Sequence, residues 1–293
     1  MPHTNTNNSG VFSLAALNRS SGADEGRAAL PCYQVDAFTH TRFAGNPAAV
    51  VTLDRWLPDP LLQVIAAENS VPETAFLVAK GGDYHLRWFT PEVEVDLCGH
   101  ATLAAAFVLC TRVHPGRRSL VFHSQSGDLA VTRDGDEYTL DFPARPPVPA
   151  DSPAGLVEAM GCTPREVLRA RDWLLVLDDA AAVRACRPDM GALAALPDIF
   201  GVCVTAPGDI EGVDFVSRFF APSQGIPEDP VTGSAHCTLA PYWAARLDKH
   251  QLRARQLSRR SGELRCTLVG DRVHLSGHAV LTRTGFLLLD DEV

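Results

Sequence analysis

The sequence predicts an α/β protein built from two similar domains. Three observations carry that prediction. Strand-like and helix-like runs alternate along the chain, two motifs recur in the same order in both halves, and a proline-rich stretch separates the halves.

The elements follow in chain order. MPHTNTNNSG and NRSSGADEG are polar and turn-rich around a short apolar island, VFSLAAL. Asp24 and Glu25 argue against a transit peptide, so residues 1–30 read as a weakly ordered extension without a catalytic role. The compact part begins near Cys32, where CYQVDAF alternates as a strand does. GNPAAVVTL is a turn running into a β-branched strand. LPDPLLQVIAAENS places Leu61, Leu62, Ile65 and Ala66 at helical spacing. ETAFLVA and YHLRWFT are strands, HATLAAAFVLCTRV is a helix with little polar surface, and LVFHSQSGDLAVTRDGDEYTLDFP is a set of strands joined by Gly and Asp turns. In ARPPVPADSP, residues 144–153, four prolines in ten residues make a stiff linker. The domains are therefore placed at 31–143 and 154–282, with 283–293 a candidate to complete the first.

Composition narrows the function. The net charge is −9 with no basic run, which disfavours nucleic acid as a partner. None of the eight cysteines stands in a C-x-x-C pair and no secretory signal opens the chain, so a reducing cytoplasm is the expected home. The longest apolar run, residues 101–110, is too short to span a bilayer, so no membrane partner is expected. There is no P-loop, no H-E-x-x-H helix, no G-x-S-x-G elbow and no G-x-G-x-x-G after a strand. What remains is carboxylates, a histidine, glycine amides and thiols. That inventory suits proton transfer at carbon with no cofactor and no metal.

The repeat locates the site. RWFTP at Arg87–Pro91 matches RFFAP at Arg218–Pro222, and GHATLAAAFVL from Gly99 matches GSAHCTLAPYW from Gly233. The offset is 131 for the first match and 134 for the second, so the second loop is three residues longer. Two such domains facing each other bring both glycine-headed helices to a shared cleft. Helix starts carry unpaired N–H groups, and glycine admits a ligand close to them. Gly99, Gly233 and Ser234 are thus candidates to hold a carboxylate, the plain alternative being an ordinary turn capped by Ser234. Glu73 opens a strand with Ala75 and Leu77 on its own face, where a carboxylate loses hydration. His100 follows Gly99 at the helix start and can donate to a substrate or shuttle a proton. Asp229 can accept a proton, orient a substrate amine or cap its own turn. Asn46 in GNPAAV is most simply a turn residue.

VDAFTHTRFAGNPAAVV, VPETAFL, RWFTPEVEVDLCGHATLAAA and EDPVTGSA together resemble the phenazine-biosynthesis isomerase family, the PhzF-like proteins, over roughly residues 32–290. The resemblance implies the diaminopimelate epimerase-like fold, two similar domains each with a curved, mostly antiparallel sheet around a central helix. It implies a homodimer, chemistry without a cofactor and a small anionic metabolite as substrate. The family's founding activity isomerises trans-2,3-dihydro-3-hydroxyanthranilate. By resemblance Glu73 takes and returns the proton, His100 and Asp229 are its partners, and Asn46, Gly99, Gly233 and Ser234 contact the substrate. Pro72 stands where many members have Ser. Two other readings stay open: a two-thiol racemase using Cys98, for which Cys237 is expected to face the core, and a non-catalytic small-molecule-binding protein.

Overall fold

The computed structural model describes residues 28–290, so the extension expected over residues 1–30 lies outside them up to residue 27. The first half contributes β1 (Ala28–Ala37), β2 (Asn46–Leu53), β3 (Glu73–Lys80), β4 (Asp83–Phe89), β5 (Glu94–Val95), β6 (Ser119–Ser124), β7 (Gly127–Asp134) and β8 (Glu137–Pro143). Its helices are α1 (Asp59–Asn69) and α2 (Gly99–Val108). The second half contributes β9 (Val148–Pro149), β10 (Glu166–Arg169), β11 (Trp173–Val176), β12 (Val202–Pro207), β13 (Phe215–Ala221), β14 (Ile226–Asp229), β15 (Gln251–Gln256), β16 (Gly262–Val269), β17 (Arg272–Gly277) and β18 (Ala279–Leu289). Its helices are α3 (Leu156–Met160), α4 (Ala180–Ala185), α5 (Met190–Ala195) and α6 (Gly233–Leu247).

The strands pair in the spatial order β18-β1-β2-β3-β4-β6-β7-β8 and then β17-β16-β15-β13-β12-β11-β10-β9, with β8–β17 joining the two sets. Outward from that junction each set runs antiparallel, antiparallel, parallel, antiparallel, parallel, antiparallel, antiparallel. The repeat read in RWFTP and RFFAP is therefore a repeat of the whole pairing scheme, β4 corresponding to β13. Each set is closed by the strand that follows the other set along the chain. The last strand, β18, closes the first set from residue 279 onward, and β9, inside the proline-rich stretch, closes the second.

Each set wraps one helix. α2 packs against β1, β2, β3, β8 and β18, and α6 against β15, β16 and β17. α2 is alanine-rich because strands approach it from several sides; His100 to Ala106 and Val108 are all buried. A helix enclosed in this way shows no polar stripe. Leu103 is fully buried there, a burial that contributes about 2 kcal/mol. α6 contains Pro241, which lacks an N–H and leaves the Cys237 carbonyl without its helical partner. The backbone N–H of Arg145 donates to that carbonyl at 2.9 Å, tying the proline-rich stretch to the helix.

A pair of equivalent ion pairs braces the loops ahead of the two helices. Arg87 grips Glu94 through two hydrogen bonds of 2.7 Å, and Arg218 grips Glu228 at 2.7 and 3.1 Å. Arg218 also donates to the Val183 and Cys186 carbonyls. Planar guanidinium forks suit this bidentate geometry. Removing one member of a buried pair leaves its partner uncompensated, whereas an exposed pair contributes little. Arg218→Met is expected to lower unfolding free energy by about 3 kcal/mol in urea titrations. Arg184→Met, which breaks the exposed Arg184–Asp209 pair, should cost less than about 1 kcal/mol. Equal losses in the two variants would contradict the bracing role.

Candidate active site

β2 and β3 are parallel neighbours, so Asn46 and Glu73, which begin them, lie at the same end of the sheet. α2 starts there too. The second half brings Asp229, the last residue of β14, and the start of α6 to the same place. The helices meet head to head: a Cβ built on Gly99 would lie 3.5 Å from the Gly233 Cα. Any side chain beyond Cβ would fill the gap between them, and glycine leaves it open. Neither helix has a side-chain cap at its start; Cys98 makes no capping bond and the Thr232 hydroxyl turns to Asp229 instead. Two sets of unpaired amides thus converge on one cleft of about 420 Å³. Glu73, Gly99, His100, Asp229, Gly233 and Ser234 all line it.

The titratable groups form one cluster. Glu73 Oε2 lies 3.1 Å from His100 Nε2, off the line of a hydrogen bond, and both atoms are shut from solvent. Glu73 Oε1, which has no partner among the described residues, is the oxygen left to the cleft. Asn46 Nδ2 lies 3.1 Å from His100 Nδ1, 2.8 Å from Asp229 Oδ1 and 2.9 Å from the Val231 carbonyl oxygen. Exchanging the amide N and O of Asn46 would set an oxygen against Asp229 and Val231, so the nitrogen belongs there. The two hydrogens of that nitrogen serve Asp229 Oδ1 and the Val231 carbonyl oxygen. Asp229 Oδ2 accepts from the Thr232 hydroxyl at 2.5 Å, and Gln256, fully buried, holds both the Asp229 carbonyl and the Thr232 amide.

Burial alone would lower the His100 pKa, but the neighbouring Cys98 and Glu73 outweigh it and hold it well above its ordinary value. Burial pushes the Cys98 thiol itself up to about 11, with Glu73 adding to the rise. Burial also pushes the Asp229 carboxyl up to about 6, with His100 opposing and Glu73 adding.

Three expectations need correction. Asn46 does not line the cleft; it is fully buried and cross-links Asp229 to His100, so it positions the site rather than touching a ligand. Cys237 does not simply face the core, because it lines the cleft one helical turn beyond Gly233. A metal-capable grouping does exist: Glu73, Cys98 and His100 place donor atoms within 4.8 Å of one another, as do His40, Asp136 and His278 on the surface. Thr232, Gln256 and Arg145 were missed. Thr232 and Gln256 act across the fold, and no local pattern marks them. Arg145 lies in the proline-rich stretch, which carries no local sign of a site.

Fold and site define an enzyme of the isomerase class. The chain belongs to the phenazine biosynthesis-like protein family, whose model matches residues 35–285. It is 52% identical over 260 residues to an uncharacterised isomerase of Pseudomonas aeruginosa, covering 89% of this chain and 99% of that protein. It is 40% identical over 284 residues to the mouse phenazine biosynthesis-like domain-containing protein 1, covering 88% and 99%. Among solved structures, a PhzF family protein of Enterococcus faecalis superposes with a TM-score of 0.86 at 48% identity, covering 89% of this chain and all of that one. A hydroxyproline epimerase of Agrobacterium vitis, 11% identical and covering 90% and 94%, shares the fold alone, with a TM-score of 0.60. No helix among the described residues is long and apolar enough to cross a membrane.

The raised Asp229 pKa makes a signed prediction. Its folded value lies above the unfolded one, so its favourable contribution is complete below about pH 4 and is lost as pH rises through about 6. Asp229→Asn removes that loss. The melting temperature of the variant relative to the parent should rise between about pH 4 and pH 7, equivalent to roughly 2 kcal/mol. A difference independent of pH would show that Asp229 titrates normally.

Proposed function

We propose that the protein is a cofactor-independent isomerase in which Glu73 moves a proton between two carbons of a small carboxylate-bearing metabolite. The observation that carries the reading is the open Glu73 oxygen beside two uncapped helix starts. The carboxylate of the substrate sits on the amides at Gly99 and Gly233 and near Ser234. Glu73 takes a proton from a neighbouring carbon, becoming a carboxylic acid, and the electron pair delocalises toward that carboxylate. The helix amides stabilise the developing charge where it accumulates. Glu73 then returns the proton to a different carbon, and the substrate leaves as an isomer. His100 behind Glu73 and Asp229 across the cleft keep the protons in place, Asn46 fixing their geometry. The family's homodimeric state and a cytoplasmic home belong to the same reading.

The two-thiol reading has one observation in its favour, since Cys98 and Cys237 both line the cleft. Burial, however, pushes their thiols up to about 11 and about 12, and a thiol held neutral is a poor base near pH 7.

Glu73→Gln keeps shape and loses the proton carrier. With trans-2,3-dihydro-3-hydroxyanthranilate as first probe, kcat is expected to fall about 10²–10⁴-fold with KM little changed. Deuterium transfer from solvent into the product should vanish in parallel. A near-normal kcat would remove Glu73 from its role, and turnover by Glu73→Gln that Cys98→Ser abolishes would support the thiol route. Protein treated with EDTA should keep its activity; a tightly held stoichiometric ion required for turnover would contradict the metal-free reading.

A further inference from the structure

Arg145 is a cleft residue whose side chain makes no hydrogen bond or ion pair among the described residues and whose backbone is fixed in place. Its side chain lines the cleft, yet its guanidinium makes no side-chain hydrogen bond or ion pair, and Nη1 is shut from solvent without an acceptor. Asp172 feels its charge but makes no ion pair with it and does not line the cleft. The other cleft arginine, Arg171, is exposed and lies over the Phe200 ring at 4.2 Å. Leaving Nη1 of a half-buried guanidinium without an acceptor is costly, because its N–H donors lose water and gain no partner.

Its position is built rather than accidental. Pro241 cannot donate to the Cys237 carbonyl, and the Arg145 N–H takes that vacant acceptor at 2.9 Å. The backbone of Arg145 is thereby anchored four residues into α6, about 6 Å along the axis from Gly233. The cleft then offers two anion-holding features: the converging amides at Gly99 and Gly233, and the guanidinium of Arg145, whose backbone is anchored one helical turn into α6.

We infer that Arg145 is a specificity-determining residue that takes a second anionic group of the substrate, so that the substrate class is a small dicarboxylate or an equivalent dianion. This rests on the reading of Gly99 and Gly233 as the first carboxylate site and adds a second contact to it. A monoanion would satisfy the helix amides and leave the guanidinium bare. A dianion satisfies both.

The test is calorimetric binding at low salt of glutarate and of its monoamide, which has the same length and one charge fewer. The parent protein should bind glutarate about tenfold more tightly than the monoamide. Arg145→Met should bring the two to near equality with monoamide affinity unchanged, and Arg145→Lys should restore part of the preference. Melting temperatures of the unliganded variants serve as the fold control and should match the parent. Equal affinities in the parent, failure of the parent to bind either probe, or a preference that survives Arg145→Met would each overturn the assignment. Gly233→Val separates the two claims. If it weakens both probes, the helix-amide site stands; if it weakens neither while Arg145→Met still abolishes the preference, that site fails and the role of Arg145 remains.

Discussion

The close approach of two helix N-termini, Gly99 to Gly233, governs the rest of the structure. Helix starts carry like partial charges, and bringing two together without caps is unfavourable unless something negative lies between or beside them. Here the neighbours are Glu73 and Asp229, with a cleft open for an anion. The glycines leave the approach open, because a Cβ on either would already be in van der Waals contact with the opposite backbone and a longer side chain would fill the space between them. The pairing of β8 with β17 makes the approach possible by joining the two strand sets on the side where both helices begin.

The same arrangement explains why the carboxylates are fastened so differently. Asp229 is held on both oxygens, by Asn46 and Thr232, and its loop is held again by Gln256. Glu73 is held only by His100, and one oxygen is left free. A group that must change protonation and shift slightly during a reaction is better served by the looser attachment, and its orienting neighbour by the tighter one. Arg87–Glu94 and Arg218–Glu228 then fix the two loops at corresponding places.

Much of this was legible in the sequence because the repeat is local. Arg87 and Arg218 occupy equivalent strands, Gly99 and Gly233 equivalent helix starts, and the three extra residues fall in the Pro222–Gln224 turn and the loop around it. Glu73, His100 and Asp229 are marked by their immediate neighbours and by the family resemblance, and the fold brings them together. The remainder depends on contacts between distant residues. Asn46 is a turn residue to any local reading, yet its partners Asp229 and Val231 lie more than 180 residues away in the chain. The closure of the sets by β9 and β18 has no signature in either strand's own composition. Arg145 looks like part of a linker until Pro241, on another element, supplies the reason for its placement.

The central claim is that the converging amides of α2 and α6 hold a carboxylate against Glu73. A crystal structure with bound anthranilate tests it most directly. The account predicts the carboxylate within hydrogen-bonding distance of backbone amides near both Gly99 and Gly233, with a ring carbon turned toward Glu73 Oε1. A carboxylate bound elsewhere in the cleft, with the two helix starts left to water, would contradict it.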